Sequence, residues 1–119
     1  MTGRCLEDFA VGQTFHAGPV PVHAERIKAF AAEFDPQPFH LDEHAARDTI
    51  FGELVASGWH AAAMTMRLLV ESDFSPAGGI VGAGFEEFRW TLPVGQGTSC
   101  ASWLRSSRCG RRDRVPIRA

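Results

Sequence analysis

At 119 residues the chain is long enough for one ordinary domain, and 45% hydrophobic with 22% charged residues is the balance of a globular core under a polar surface. No run of about 18 apolar residues could span a membrane, and residues 1–8 lack the apolar stretch of a secretory signal, so a cytoplasmic protein without a membrane partner is expected. The formal charge of −2 by itself argues neither for nor against nucleic acid, which is not an expected partner, but it hides an asymmetry: six of the twelve basic residues (Arg105, Arg108, Arg111, Arg112, Arg114, Arg118) lie in the last 15 positions, which leaves the rest acidic. Cys5, Cys100 and Cys109 have neither CxxC nor metal-ligand spacing and read as unpaired thiols, with no metal expected.

Residues 6–13 end in a Gly-containing turn, and Thr14 to Val22 has the β-branched, proline-edged character of a marginal strand. Between His23 and Phe34, the residues Ile27, Phe30, Ala31 and Phe34 recur at helical spacing and predict one buried stripe. That helix must stop by Asp35, because Pro36 pushes the residue before it out of the α region. Pro36 and Pro38 then stiffen Phe34 to Asp42 into a rigid, non-helical loop, with Asp35 and Gln37 extended or in a turn. Asp42 can cap a short helix over Glu43 to Arg47.

Ser57-Gly58 starts the central helix, Trp59 to Val70. Apart from His60, Thr65 and Arg67 it is apolar on nearly every side, and such a helix has to be enclosed. Ser75 to Gly79 breaks the pattern, Ile80 to Leu92 reads as a strand, and Pro93 to Gly97 as the next turn. From Thr98 onward neither apolar period is present, and the strands needed to enclose the central helix are not written there. GC-rich codons for residues 98–119, read one nucleotide earlier, can be chosen to spell alternating apolar residues. A domain over 1–97 followed by an atypical Arg-rich tail over 98–119, frameshifted or truncated, is therefore expected. A disordered tail binding an anionic partner is the alternative.

An acid and an imidazole five residues apart, Asp35 and His40, sit on the proline-stiffened loop just ahead of the most apolar helix. Together with Ala45-Ala46, Val55 to His60 and Pro93 to Gly97, the stretch Phe34-Asp35-Pro36-Gln37-Pro38-Phe39-His40-Leu41-Asp42 resembles the MaoC-like dehydratases, relatives of the R-specific enoyl-CoA hydratases, over residues 6–97. Gln37 stands where that motif usually has Asn, and Phe34 where a Gly often precedes the acid. The resemblance implies an α+β hotdog fold, a curved antiparallel sheet wrapped around a long central helix and here incomplete at its C-terminus, in a homodimer. It also implies that Asp35 and His40 are the catalytic pair. The reaction would be syn hydration of a trans-2-enoyl thioester, or the reverse dehydration, in fatty acid metabolism. Coenzyme A or acyl carrier protein would carry the substrate, with no cofactor.

Adding water to an activated double bond needs one group to take a proton and another to deliver one, and a carboxylate with an imidazole can hold one water between them. The charge growing on the thioester oxygen needs donors, which a helix N-terminus supplies, so the Gly58 N–H is the expected oxyanion donor. Ser57, Trp59 and Phe39 are the expected substrate-binding residues. Each has a plainer reading: Asp35 as a helix end, His40 and His60 as hydrogen-bonded structural histidines, Ser57 as a cap, Trp59, Met64 and Met66 as core. Two other functions stay open: thioester hydrolysis on the same fold, and a non-catalytic acyl-binding subunit.

Overall fold

Gly12 takes a left-handed φ of 89°, which turns the chain into β1, Thr14–Pro21. Helix α1 covers Ala24–Phe34, and α2, Pro38–Leu41, and α3, Glu43–Ala46, are single turns. Helix α4 covers Gly58–Glu71, and strands β2, Ser99–Arg105, and β3, Ile117–Arg118, follow. The computed structural model describes residues 3–5, 8–79, 87–90, 92–97, 99–105 and 117–118. Sheet order is β1-β2-β3, with β2 and β3 antiparallel, Trp103 opposite Arg118 and Leu104 opposite Ile117.

The chain divides into two compact units. The first comprises Met1–Gly18, Thr65–Arg89 and Ala101–Ala119. Its buried cluster is Phe15, Leu69 and Phe74, with Phe9 packed against it. The three phenylalanine rings meet at centroid distances of 5.1–6.2 Å, in edge-on and tilted arrangements suited to their quadrupoles. The second unit comprises Pro19–Met64 and Trp90–Cys100. There Val22, Ile27, Leu54 and Ala56 are buried together, with Ala24, Met64 and Val94 alongside. Ile27 is fully enclosed, which contributes about 1.5–3 kcal/mol.

Four expectations need correcting. The stripe of α1 buries Ile27 and Ala31, but Phe34 is 64% exposed, because it stands in the last turn with its ring tilted against Phe30 instead of the core. The loop after it is not wholly non-helical. Gln37 is extended, as a residue before proline should be, but Pro38 then occupies the first position of α2, where its missing N–H costs nothing.

Helix α4 is not enclosed on every side, since Trp59, Met66 and Val70 are exposed. Finally, β2 lies within the segment that shows no alternating pattern, because a ladder joins backbone groups and does not require a side-chain period. Of the strand expected over Ile80 to Leu92, residues 80–86 and 91 lie outside the described residues, while 87–90 are irregular. The expected tail also lies mostly outside them, over 98, 106–116 and 119.

Candidate active site

Asp35 does two things at once. Its backbone N–H closes α1 on the Ala31 carbonyl at 2.9 Å, while its side chain turns toward His40 and Ser57. The segment that follows is fixed by backbone bonds from Gln37 N to Asp35 O at 2.8 Å, His40 N to Gln37 O at 2.9 Å and Asp42 N to Pro38 O at 3.0 Å. Asp42 caps α3 through a 2.8 Å bond from the His44 N–H, as its position before the helix predicts.

His40 is buried, and its Nδ1 lies 2.7 Å from the Val55 carbonyl oxygen. A carbonyl can only accept, so Nδ1 carries the hydrogen and Nε2 is left with the lone pair in the neutral ring. Nε2 lies 3.3 Å from Asp35 Oδ2. Two acceptors at that distance need a hydrogen between them or a water beside them that donates to both. They leave no room for a water in line. Val55 is itself held from both sides: its N–H reaches the Phe39 carbonyl at 3.2 Å, it forms an antiparallel bridge with Gly95, and Ala56 N donates to Val94 O at 2.7 Å.

Ser57 is fully buried and its hydroxyl donates to the same Asp35 Oδ2 at 2.7 Å, while the Gln37 amide donates to Oδ1 at 2.6 Å. Both bonds favour the ionised carboxylate. The Ser57 bond first, then the Gln37 bond, and to a lesser degree the charge of His40 hold Asp35 below the ordinary carboxylate range, against the opposing effect of burial. The Asp35 side chain retains 20% exposure.

The Ser57 carbonyl accepts from Ala61 N at 3.0 Å, which makes Ser57 the residue entering α4 and Gly58 its first. A first-turn amide has no acceptor within its own helix and sits at the positive end of the helix dipole. The Gly58 α-carbon is covered: a Cβ there would lie 2.6 Å from Trp90 Cε2, and the Trp90 indole N–H donates to the Gly58 carbonyl at 2.7 Å. Trp59 is exposed and meets Trp90 edge-on at 5.6 Å, and Phe39 sits edge-on to His40 at 4.5 Å.

The structure thus brings Asp35, His40 and Ser57 onto one oxygen, with Gly58 next in the chain, Phe39 against the imidazole, and Trp59 on the outer side with Trp90. His60 is buried and stacked on Phe30 at 4.8 Å, and its Nδ1 has no hydrogen-bond partner among the described residues. Burial, and secondarily the charge of Arg26, lower its pKa. Three contributors went unread in the sequence: Gln37 as a donor to Asp35, the Val55 carbonyl and Trp90. An amide two residues from the acid was a usable signal for Gln37. Nothing local marked Val55 or Trp90, which lie 15 and 32 positions from their partners.

Residues 8–114 match the profile of the MaoC like domain. A MaoC-like dehydratase from Rhodospirillum rubrum is 54% identical, with TM-score 0.81 over 87% of this chain and 70% of that one. The R-hydratase PhaJ1 from Pseudomonas aeruginosa is 26% identical, with TM-score 0.74 over 92% of this chain and 69% of its own. These neighbours give the fold class as an α+β hotdog. The uncharacterized protein YdeM of Bacillus subtilis is 34% identical over 89 residues, 75% of this chain, and the chain spans only 63% of that relative's length.

Proposed function

The chain belongs to the MaoC-like domain family, and on that premise we propose that it hydrates trans-2-enoyl thioesters to (R)-3-hydroxyacyl thioesters, or runs the reverse dehydration. One observation carries this reading: His40 Nε2 and the Ser57 hydroxyl converge on Asp35 Oδ2, with the far nitrogen of the imidazole tied to Val55. A water donating one hydrogen to Oδ2 and one to Nε2 keeps a lone pair for attack on the β-carbon. The bonds from Ser57 and Gln37 weaken Asp35 as a base, so Nε2 takes the proton as the new C–O bond forms. The imidazolium is steadied by the carboxylate and returns that proton to the α-carbon from the same side, which makes the addition syn. Atoms balance without a metal or a covalent intermediate.

The negative charge that builds on the thioester oxygen is taken by the Gly58 N–H at the start of α4. The acyl carrier is coenzyme A or acyl carrier protein, and the substrate is one of fatty acid metabolism. The protein works as a homodimer, a reading supported by the apolar side chains of Trp59, Met66 and Val70 that α4 leaves exposed in the single chain.

The test is to incubate the protein with crotonyl-CoA and follow the conjugated enoyl absorption and free thiol together. Absorption should fall without thiol release, and Asp35→Asn and His40→Ala should each lose about 10²–10⁴-fold in rate while still binding the thioester. Full activity in either variant would remove the pair from the mechanism. Thiol release would point to a thioesterase, and binding with neither change to an acyl-binding subunit.

A further inference from the structure

Trp90 has no part in the proton transfers, yet its indole lies against the place a Gly58 Cβ would take at the start of α4. Its indole N–H donates to the Gly58 carbonyl at 2.7 Å, and the same edge of the indole covers the spot a Gly58 side chain would occupy, 2.6 Å from Cε2, 2.7 Å from Nε1 and 3.1 Å from Cζ2. The ring is itself buttressed edge-on by Trp59 at 5.6 Å. The hydrogen bond and the ring contact act on the same residue. One fixes the orientation of the first helical peptide, and the other fills the space on its flank. Trp90 is half exposed, so the part of the ring not resting on Gly58 faces whatever approaches.

We propose that Trp90 is the selectivity-determining residue of this site, closing the flank of Gly58 so that only acyl thioesters unbranched at the carbon next to the carbonyl are accepted. The proposal rests on the reading that the Gly58 N–H receives the thioester oxygen. On this proposal the substituents of a carbonyl hydrogen-bonded to that amide run along the flank of Gly58 that the indole covers. A straight chain passes the ring edge, while a methyl branch on the adjacent carbon competes with it for the same volume. Removing the indole frees that volume and also releases the Gly58 carbonyl, so Trp90→Ala loses discrimination, whereas Trp90→Phe keeps a ring over Gly58 and loses only the N–H.

The experiment uses unreactive saturated thioesters, so that binding is read apart from turnover. Dissociation constants for butyryl-CoA and isobutyryl-CoA are measured by calorimetry on the full chain and on Trp90→Ala, Trp90→Leu and Trp90→Phe, with thermal melts to check folding. In the unaltered protein butyryl-CoA should bind about tenfold more tightly, the discrimination one methyl group can produce. The ratio should fall toward unity in Trp90→Ala, or in Trp90→Leu should the alanine variant not fold, and persist in Trp90→Phe. A ratio that survives loss of the indole, or equal binding in the unaltered protein, overturns the proposal. If the ratio collapses as expected but crotonyl-CoA is not hydrated, the reaction assignment falls and the role of Trp90 stands. If crotonyl-CoA is hydrated but the ratio does not change, the reaction assignment stands and the role of Trp90 falls. Absence of thioester binding removes both.

Discussion

The Ser57 hydroxyl donates a 2.7 Å hydrogen bond to Asp35 Oδ2, joining the residue that enters α4 to the residue that ends α1 across 22 positions of sequence. Ser57 is fully buried, and its bond is the largest cause of the lowered Asp35 pKa. On the proposed mechanism it acts through Asp35, as a positioning residue.

Ser57→Ala should therefore raise the Asp35 pKa and cut hydration about tenfold, the worth of one hydrogen bond to a charged group. Since the proposed mechanism needs the ionised carboxylate, the acid limb of the pH–rate profile should move to higher pH. A profile that keeps its shape while the rate falls would make the serine's role one of packing alone.

Asp35 also couples stability to pH. Its folded pKa lies below the ordinary value of 3.8, so its contribution is complete above that value and is lost as pH falls below it toward the folded pKa. Urea titrations of the unaltered protein and Asp35→Asn should show a constant stability difference from neutral pH down to about pH 5, shrinking under more acidic conditions. A difference that already shrinks near pH 6 would assign the effect to another group.

Gly58→Pro tests the oxyanion donor. Proline is tolerated at the first position of a helix, so the substitution deletes one N–H with little backbone cost, but its ring would meet the Trp90 indole. The informative comparison is Gly58→Pro against Gly58→Ala, both in the Trp90→Ala background. The alanine variant should retain most activity, and the proline variant should lose about 10²–10³-fold. Equal activities would remove the Gly58 amide from the mechanism.

His60 makes a separate prediction. Its pKa is lowered by burial, so the folded state resists a proton that the unfolded state accepts. Stability is complete above the unfolded value of 6.5 and declines as pH falls from there toward the folded pKa. His60→Phe keeps the stacking on Phe30, removes an Nδ1 that has no partner among the described residues and whose burial costs about 1–3 kcal/mol, and should flatten the decline between pH 7 and pH 5. A decline of unchanged steepness in His60→Phe would refute this.

Much of the site could be read along the chain because its determinants are local. Two prolines flanking Gln37 fix the path from Asp35 to His40, and Asp42 sits where a capping carboxylate belongs. The start of α4 at Ser57-Gly58 was equally legible. Burial was read less well: the helical spacing that placed Ile27 and Ala31 inside also pointed to Phe34, which lies out in solvent. Period tells which residues share a face but not where the neighbouring element ends. The same limit explains β2, whose pairing lies in the backbone and needs no alternation in the sequence.

The family, the acid, the imidazole and the proline-fixed backbone at Gln37 between them are legible in the chain, because proline geometry and helix capping act over a few residues. Their surroundings come from the folded chain. The Val55 carbonyl that selects the His40 tautomer, the Ser57 hydroxyl that holds Asp35 ionised and the indole over Gly58 come from 15, 22 and 32 positions away. Contacts across such separations are set by how the elements pack, and a periodic pattern within one element does not name its partner in another.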